Sequence, residues 1–316
     1  MTPDVHPADP RDHGGGLDAA MQRYGGLRSD WIDLSTGINP NPYPIGQIDG
    51  QDWTALPDRG AFETLERAAR RFWSVPQGAA ILAAPGASAL IARIPAVFAG
   101  AAVDIPAPTY NEHAAAFRAH DWQVTPSDEV RVLVHPNNPD GRFWAQEDLA
   151  PITVIDESFC DIAPKRSLVH LAERPDTIVL KSFGKFWGLA GLRLGFAIGD
   201  PDLIARLADL IGPWAVSGPA LRIGATALHD EAWADQTRAR LTADAERLDA
   251  LMLQAGTQIV GGTSLFRLYD VGDAAHWQDK LAQAHIWSRI FPYSERWLRL
   301  GLPAAPDWPR LKAALI

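Results

Sequence analysis

Short apolar runs alternate with helical patterns through the middle of the chain. The runs are rich in β-branched residues and are flanked by Pro, Gly or Asp, which is typical of strands buried inside an α/β sheet. They lie at residues 80–83, 102–105, 130–134, 152–155, 177–180 and 196–198. We therefore predict a mostly parallel sheet in this part of the chain.

Apolar residues at helical spacing separate these runs and predict helices that cover the sheet faces. Two such sets fall within residues 62–72 and 90–98. Residues 219–254 form a long helical tract that is interrupted near His229, and a smaller α+β unit is predicted to begin near Gln258.

The length of 316 residues favours two domains that share one interface. We predict a large α/β domain over residues 41–220. Residues 1–40 and 221–316, which include the bridging helix, are predicted to form the smaller α+β domain.

Composition and charge exclude several classes of protein. The net charge is −9 and no Lys/Arg cluster is present, which argues against nucleic-acid binding. The single cysteine, Cys160, excludes an internal disulfide and a multi-cysteine zinc site and fits the cytoplasm, so no metal site is expected.

The sequence also argues against secretory and membrane segments. Residues 1–16 lack the apolar core of a secretory signal. The most apolar stretch, residues 79–103, contains Pro85 and Arg93, which argues against a membrane span.

The strongest chemical signal is the glycine-rich segment at residues 182–195, which reads SFGKFWGLAGLRLG and follows a predicted strand. Apolar surroundings lower the pKa of a lysine amine, and glycines let the backbone approach a flat ligand closely. A lysine taken alone is more often a surface charge. In this setting Lys185 is the candidate for imine chemistry.

The segment resembles the fold-type I pyridoxal-phosphate enzymes, the aspartate aminotransferase superfamily, in which Ser-x-x-Lys is followed eight residues later by Arg. The resemblance implies a PLP-dependent transferase-like fold. It also implies that Lys185 carries pyridoxal 5′-phosphate as a Schiff base, while Ser182 and Arg193 bind the cofactor phosphate.

Further family positions occur upstream in the same order. By resemblance, Asp156 pairs with the pyridine nitrogen, Asn138 bonds the phenolic oxygen and Tyr110 stacks on the ring. Ala87 and Ser88 lie between a strand and a helix, where free N–H groups and the helix dipole favour a phosphate.

The chain departs from the family pattern at three positions. Phe159 and Leu56 replace tyrosines that relatives often use to reach the cofactor oxygen and the neighbouring subunit's cofactor phosphate, and Gly184 replaces a frequent Ser or Thr. The family implies a homodimer, but Leu56 lacks the hydroxyl of the cross-subunit contact. None of these changes removes a group that the imine needs.

Residues 297–301 (WLRLG) resemble the superfamily segment whose arginine binds the substrate carboxylate. Residues 13–15 (HGG) and 31–40 (WIDLSTGINP) resemble a narrower group, the CobC-type L-threonine-O-3-phosphate decarboxylases of cobalamin biosynthesis, and the likeness extends over nearly the whole chain. It implies a substrate site formed by His13, Gly14, Gly37, Asn138, Arg289 and Arg299. Within this site, the substrate phosphate would be bound by His13, Gly14 and Arg289, with Gly37 lining the same pocket. The substrate carboxylate would be bound by Arg299.

The resemblance implies PLP-dependent decarboxylation of L-threonine O-3-phosphate to (R)-1-amino-2-propanol O-2-phosphate, with Lys185 as the proton donor. The same cofactor also supports transamination, so a histidinol-phosphate-type aminotransferase is the first alternative. The second is a non-catalytic protein with the same fold, for which only Leu56, Phe159 and Gly184 argue.

Overall fold

The computed structural model describes residues 12–316, so residues 1–11 of the predicted smaller domain lie outside the described residues. The helices in this range are α1 (Leu17–Tyr24), α2 (Gly50–Thr54), α3 (Arg59–Phe72), α4 (Ala87–Ile91), α5 (Asn111–Ala119), α6 (Pro201–Ile211), α7 (Gly218–Ala227), α8 (Glu231–Gln254), α9 (Ala274–Gln283) and α10 (Trp308–Leu315). The strands are β1 (Ile32–Asp33), β2 (Ala80–Ala84), β3 (Ala102–Val103), β4 (Gln123–Val124), β5 (Val130–Val134), β6 (Ile152–Asp156), β7 (Thr177–Ser182), β8 (Gly195–Gly199), β9 (Gln258–Gly262), β10 (Phe266–Asp270), β11 (Ile286–Trp287), β12 (Arg289–Phe291) and β13 (Ser294–Gly301).

A five-stranded sheet with the order β2-β8-β7-β6-β5 forms the centre of the molecule. β5, β6 and β7 run parallel, whereas β8 is antiparallel to both of its neighbours, so the sheet is mixed. Apolar clusters cover both of its faces. The apolar runs near residues 80, 130, 152, 177 and 196 all form strands of this sheet, and the run at 102–105 is reduced to the two-residue β3 beside β4.

The helical predictions are confirmed in two places and corrected in one. α3 covers residues 62–72, and the interruption near His229 separates α7 from α8. The tract at 90–98 does not form one helix: α4 ends at Ile91 and a 3₁₀ turn spans Ile94–Val97. Pro95 explains the break, because proline has no N–H for the helical ladder.

Aspartate side chains cap the N-termini of several helices. The carboxylate of Asp58 accepts the N–H of Ala61 at the start of α3, and the carboxylate of Asp230 accepts that of Trp233 at the start of α8. Each cap satisfies a donor that the first helical turn leaves unpaired. These local signals explain where the chain changes from loop to helix.

A second sheet, antiparallel with the order β12-β13-β10-β9, forms after α8. In it Arg289 of β12 lies directly opposite Arg299 of β13. Side chains of directly opposed residues project from the same face of a sheet. The division of the chain at residues 41–220 stays a prediction.

No helix within residues 12–316 combines the length and the apolar character that crossing a membrane requires.

Candidate active site

One cavity collects every residue that the sequence assigned to the cofactor. Its lining includes Ala87, Ser88, Tyr110, Asn138, Asp156, Ser182, Lys185 and Arg193. Asp156 and Ser182 are the last residues of β6 and β7, which run parallel, so both side chains lie at the same edge of the central sheet. Ligands of α/β sheets bind at this edge.

Lys185 lies in the loop after β7, with its Nζ 5.2 Å from the centre of the Phe159 ring. Burial and the positive charge of Arg299 lower the pKa of Lys185 to about 8, and Arg193 acts in the same direction, while Asp156 opposes them. A substantial fraction of the amine is therefore neutral near pH 8, as imine formation requires.

Asp156 is buried and is held by two partners that the sequence reasoning missed. His113 Nε2 lies 2.8 Å from its Oδ2, and the hydroxyl and amide of Ser158 donate to Oδ1 at 2.5 and 2.9 Å. Burial alone would raise the pKa of Asp156, but the hydrogen bonds from His113 and Ser158 outweigh it and lower this pKa. The carboxylate is thus kept charged, as pairing with a protonated ring nitrogen requires.

Four of the lining residues suit a phosphate. They are Ser88, Ser182, Gly184 and Arg193, and the Ser182 hydroxyl also accepts the Gly184 N–H at 3.2 Å. α4 has only five residues, so its dipole contributes less than the sequence suggested, and the hydroxyls and the guanidinium supply the donors.

Gly86 lies next to the guanidinium of Arg193. Its φ is +86°, and a Cβ there would lie 2.6 Å from Nη2 of Arg193. A side chain would therefore displace the guanidinium. With an amine, a buried carboxylate and an anion cradle in one cavity, the residues fit pyridoxal phosphate, with Lys185 for its aldehyde, Asp156 for its ring nitrogen and Arg193 for its phosphate.

A second cavity adjoins the first, and Tyr110 and Asn138 line both. Its other lining residues include Asp12, His13, Gly14, Arg289, Tyr293 and Arg299. The structure therefore brings together five of the six predicted substrate residues. Tyr293 was not identified from the sequence; burial raises the pKa of its phenol to about 12, so it remains a neutral donor.

Arg299 is the most enclosed cation of this second cavity, with 5% of its surface exposed. Its Nη1 donates to the side-chain oxygen of Asn138 and its Nη2 donates to the carbonyl of Ser35 at 2.7 Å. Its Nε is buried and has no protein partner. Burial and the nearby charge of Arg289 lower the pKa of Arg299 to about 10, so it stays protonated at neutral pH. A buried guanidinium with an unused N–H is suited to a carboxylate.

Arg289 and His13 lie at the outer side of the second cavity. Arg289 donates to both carboxylate oxygens of Asp12 at 2.5 and 2.6 Å and to the carbonyl of His13 at 2.6 Å. The His13 imidazole faces Glu112, with Nε2 2.8 Å from Oε1.

Two glycines of the predicted site are explained by packing. A Cβ on Gly14 would lie 2.4 Å from the Ser35 carbonyl oxygen. Gly37 is not among the residues that line either cavity in the described part of the chain, and a Cβ there would meet the rings of Phe159 and Phe266 at 2.8 and 2.9 Å. A contact of Gly37 with the substrate stays a prediction.

Comparison with known proteins gives a consistent result. The sequence profile of the family described as aminotransferase class I and II matches residues 125–315. A protein of Sinorhizobium sp named threonine-phosphate decarboxylase is 39% identical over 93% of this chain and 93% of its own. A protein of the same name from Pseudomonas aeruginosa is 40% identical over 96% of this chain and 97% of its own.

A solved structure shows the same fold. It is the histidinol-phosphate aminotransferase from Sinorhizobium meliloti in complex with pyridoxal-5′-phosphate. The match covers 100% of this chain and 96% of that chain, with a TM-score of 0.83 and 20% identity. The predicted PLP-dependent transferase-like fold is confirmed. The chain therefore belongs to the class I and II aminotransferase family and is a PLP-dependent enzyme.

Proposed function

We propose that this enzyme decarboxylates L-threonine O-3-phosphate to (R)-1-amino-2-propanol O-2-phosphate. The observation that carries the proposal is the pair of arginines, Arg289 and Arg299, opposed on neighbouring strands and lining one cavity beside the cofactor cavity. Two guanidiniums match a substrate with two anionic groups. The relatives named threonine-phosphate decarboxylase, at 39% and 40% identity, support the same substrate.

The residues of the two cavities have separate roles in the proposed reaction. When bound, pyridoxal phosphate accepts the electron pair of the broken Cα–carboxylate bond. Arg299 would orient the substrate carboxylate, and with it the bond that breaks, and Arg289 would anchor the phosphate. Charged Asp156 keeps the ring nitrogen protonated, and Lys185 delivers a proton to Cα after CO₂ has left.

The main alternative is a histidinol-phosphate-type aminotransferase, because the fold is shared with such an enzyme. Histidinol phosphate carries a phosphate but no carboxylate, so it would leave the buried Nε of Arg299 without an anion. An aminotransferase would fill that site only with its second substrate, such as glutamate, whereas O-phospho-L-threonine presents the carboxylate and the phosphate to the arginine pair in one molecule.

The experiment is to incubate the purified holoenzyme with O-phospho-L-threonine and measure CO₂ and the phosphorylated amino alcohol. We expect both in equal amounts, and neither with Lys185→Ala. Lys165→Ala, a change of an exposed lysine, is the matched control and should keep full activity. Formation of pyridoxamine phosphate from histidinol phosphate or glutamate without CO₂ would establish the alternative. If none of these compounds reacts, the result would support the hypothesis of a non-catalytic protein with this fold.

We also propose that the enzyme is a homodimer. Leu56 and Trp53 are 68% and 70% exposed, and Leu56 lines a groove of about 480 Å³ between α2, α3 and α7. Exposed apolar side chains around a groove are typical of an interface, and a second copy of the chain is the occupant that the family resemblance favours. Leu56→Glu should shift the mass measured by light scattering from dimer to monomer, whereas an unchanged dimer would place the interface elsewhere.

We further infer that the enzyme acts in cobalamin biosynthesis in the cytoplasm. The substrate proposed above and the single unpaired cysteine, Cys160, support this setting. Deletion of the gene should create a requirement that 1-amino-2-propanol O-2-phosphate or cobalamin relieves, and cell fractionation should place the protein with cytoplasmic markers.

A further inference from the structure

We propose that Asp12 is an internal competitor for the anion site of Arg289, and that the substrate phosphate displaces its carboxylate. The proposal rests on the phosphate role given to Arg289 above. It makes Asp12 a residue that tunes substrate affinity without touching the reacting atoms.

The contact between Asp12 and Arg289 has the geometry of an anion bound to a guanidinium. The two carboxylate oxygens accept from Nη1 and Nη2 at 2.5 and 2.6 Å, as a phosphate would. The Arg289 side chain is 12% exposed and that of Asp12 is 41% exposed. The fork of Arg289 is thus occupied by a more accessible group that an incoming anion can replace.

Tethers on backbone atoms hold the segment around Asp12 in place. The side chain of Asn111 donates to the Asp12 carbonyl at 2.8 Å. The Gly15 N–H donates to the Ser35 hydroxyl at 2.6 Å, and the Trp287 indole donates to the Gly15 carbonyl at 2.8 Å. None of these bonds uses the Asp12 carboxylate, so the side chain can rotate away while residues 12–15 stay tethered.

Charge makes the exchange favourable for phosphate. A carboxylate carries one negative charge, whereas a phosphate monoester carries between one and a half and two at neutral pH. The two anions repel each other, so they cannot share the fork of Arg289. Every phosphorylated ligand must therefore break the Asp12 contact before it binds.

Removing the charge of Asp12 should consequently tighten phosphate binding. Asp12→Asn keeps the size of the side chain and the backbone tethers but cannot form the charged bidentate pair. A partly exposed bidentate pair is weak enough that we expect phosphate to bind roughly three- to tenfold more tightly. A residue that only orients Arg289 would give the opposite result, because its loss would weaken binding.

The test is isothermal titration of the holoenzyme with inorganic phosphate, which undergoes no turnover and finds the cofactor's own phosphate site filled. We compare the wild type, Asp12→Asn, Asp12→Asn with Arg289→Gln, and the control Asp18→Asn, which removes the same charge from an exposed carboxylate. The expected result is tighter binding for Asp12→Asn alone and no gain in the Arg289→Gln background.

Three results would overturn the proposal. They are equal or weaker binding by Asp12→Asn, an equal gain in Asp18→Asn, and no phosphate binding by either the wild type or Asp12→Asn. Because this readout does not depend on CO₂ release, failure of the decarboxylase assay would leave it interpretable, and failure here would leave the decarboxylase activity standing.

Discussion

Arg299 provides the sharpest test of how the site recognises its substrate. Its guanidinium already donates to Asn138 and to the Ser35 carbonyl, and its buried Nε remains for the ligand. Lysine at this position keeps the charge but has no planar fork, so it cannot bond both protein oxygens and a carboxylate in the same geometry. Arg299→Lys should therefore weaken substrate recognition more than it weakens the fold.

The magnitude follows from the bonds that are lost. One hydrogen bond to a charged group contributes about 1.5–3 kcal/mol, so Arg299→Lys should lower kcat/KM roughly ten- to 150-fold. Arg299→Gln also removes the charge. Breaking a buried ion pair costs about 3–5 kcal/mol, so kcat/KM should then fall roughly 150- to 5,000-fold.

The assay measures CO₂ release from O-phospho-L-threonine, together with the fraction of turnovers that end as pyridoxamine phosphate. That fraction should rise in both variants, because a carboxylate that is no longer held would let other bonds to Cα take the reactive orientation. Arg296→Lys is the matched control, since Arg296 lies on the same strand with 63% of its side chain exposed. Wild-type kcat/KM in Arg299→Lys would refute the carboxylate role.

Three further predictions concern the cofactor cavity. His113→Phe removes a 2.8 Å hydrogen bond from buried Asp156, so cofactor affinity should fall roughly tenfold or more in an absorbance titration, and an unchanged affinity would show that Ser158 suffices. Gly86→Ala forces an L residue to a φ of +86° with its Cβ 2.6 Å from Arg193, so the melting transition should show a loss of about 1–3 kcal/mol and cofactor affinity should fall as well. Burial and the neighbouring guanidiniums lower the pKa of Lys185 to about 8, so the neutral amine predominates above that pH. The rate of covalent cofactor attachment should therefore rise with pH up to about 8 and then level off. A rate that is independent of pH would contradict this prediction.

Local sequence patterns predict most strands of the central sheet, whereas the residues of the cofactor cavity were assigned by resemblance to a known family. Apolar runs located the strands of the central sheet, and the residues assigned at strand ends, such as Asp156 and Ser182, line one cavity. The direction of β8 was not predictable from its composition, because an apolar run reads the same in a parallel and an antiparallel strand. Pro95 was the visible signal against a continuous helix at 90–98.

Contacts between distant segments were beyond the reach of local patterns. His113 lies on α5, three residues after Tyr110, and nothing in that helix indicates that its ring reaches Asp156 at the end of β6. The partners of Arg299 are separated from it by 161 residues for Asn138 and 264 residues for Ser35. Such pairs are determined by tertiary packing, on which a single sequence carries no direct information.

Asn138 shows why the choice of reaction depends on more than the cofactor residues. It lines both cavities, and its side-chain oxygen accepts a hydrogen bond from Arg299. The Arg299 guanidinium is therefore linked by a hydrogen bond to a residue that also lines the proposed cofactor cavity. In the proposed reaction, a shift of the Asn138 amide would move Arg299 and with it the substrate carboxylate that Arg299 would orient. Under the proposed function, the choice of reaction therefore depends on the geometry between the two cavities as well as on Lys185 and Asp156.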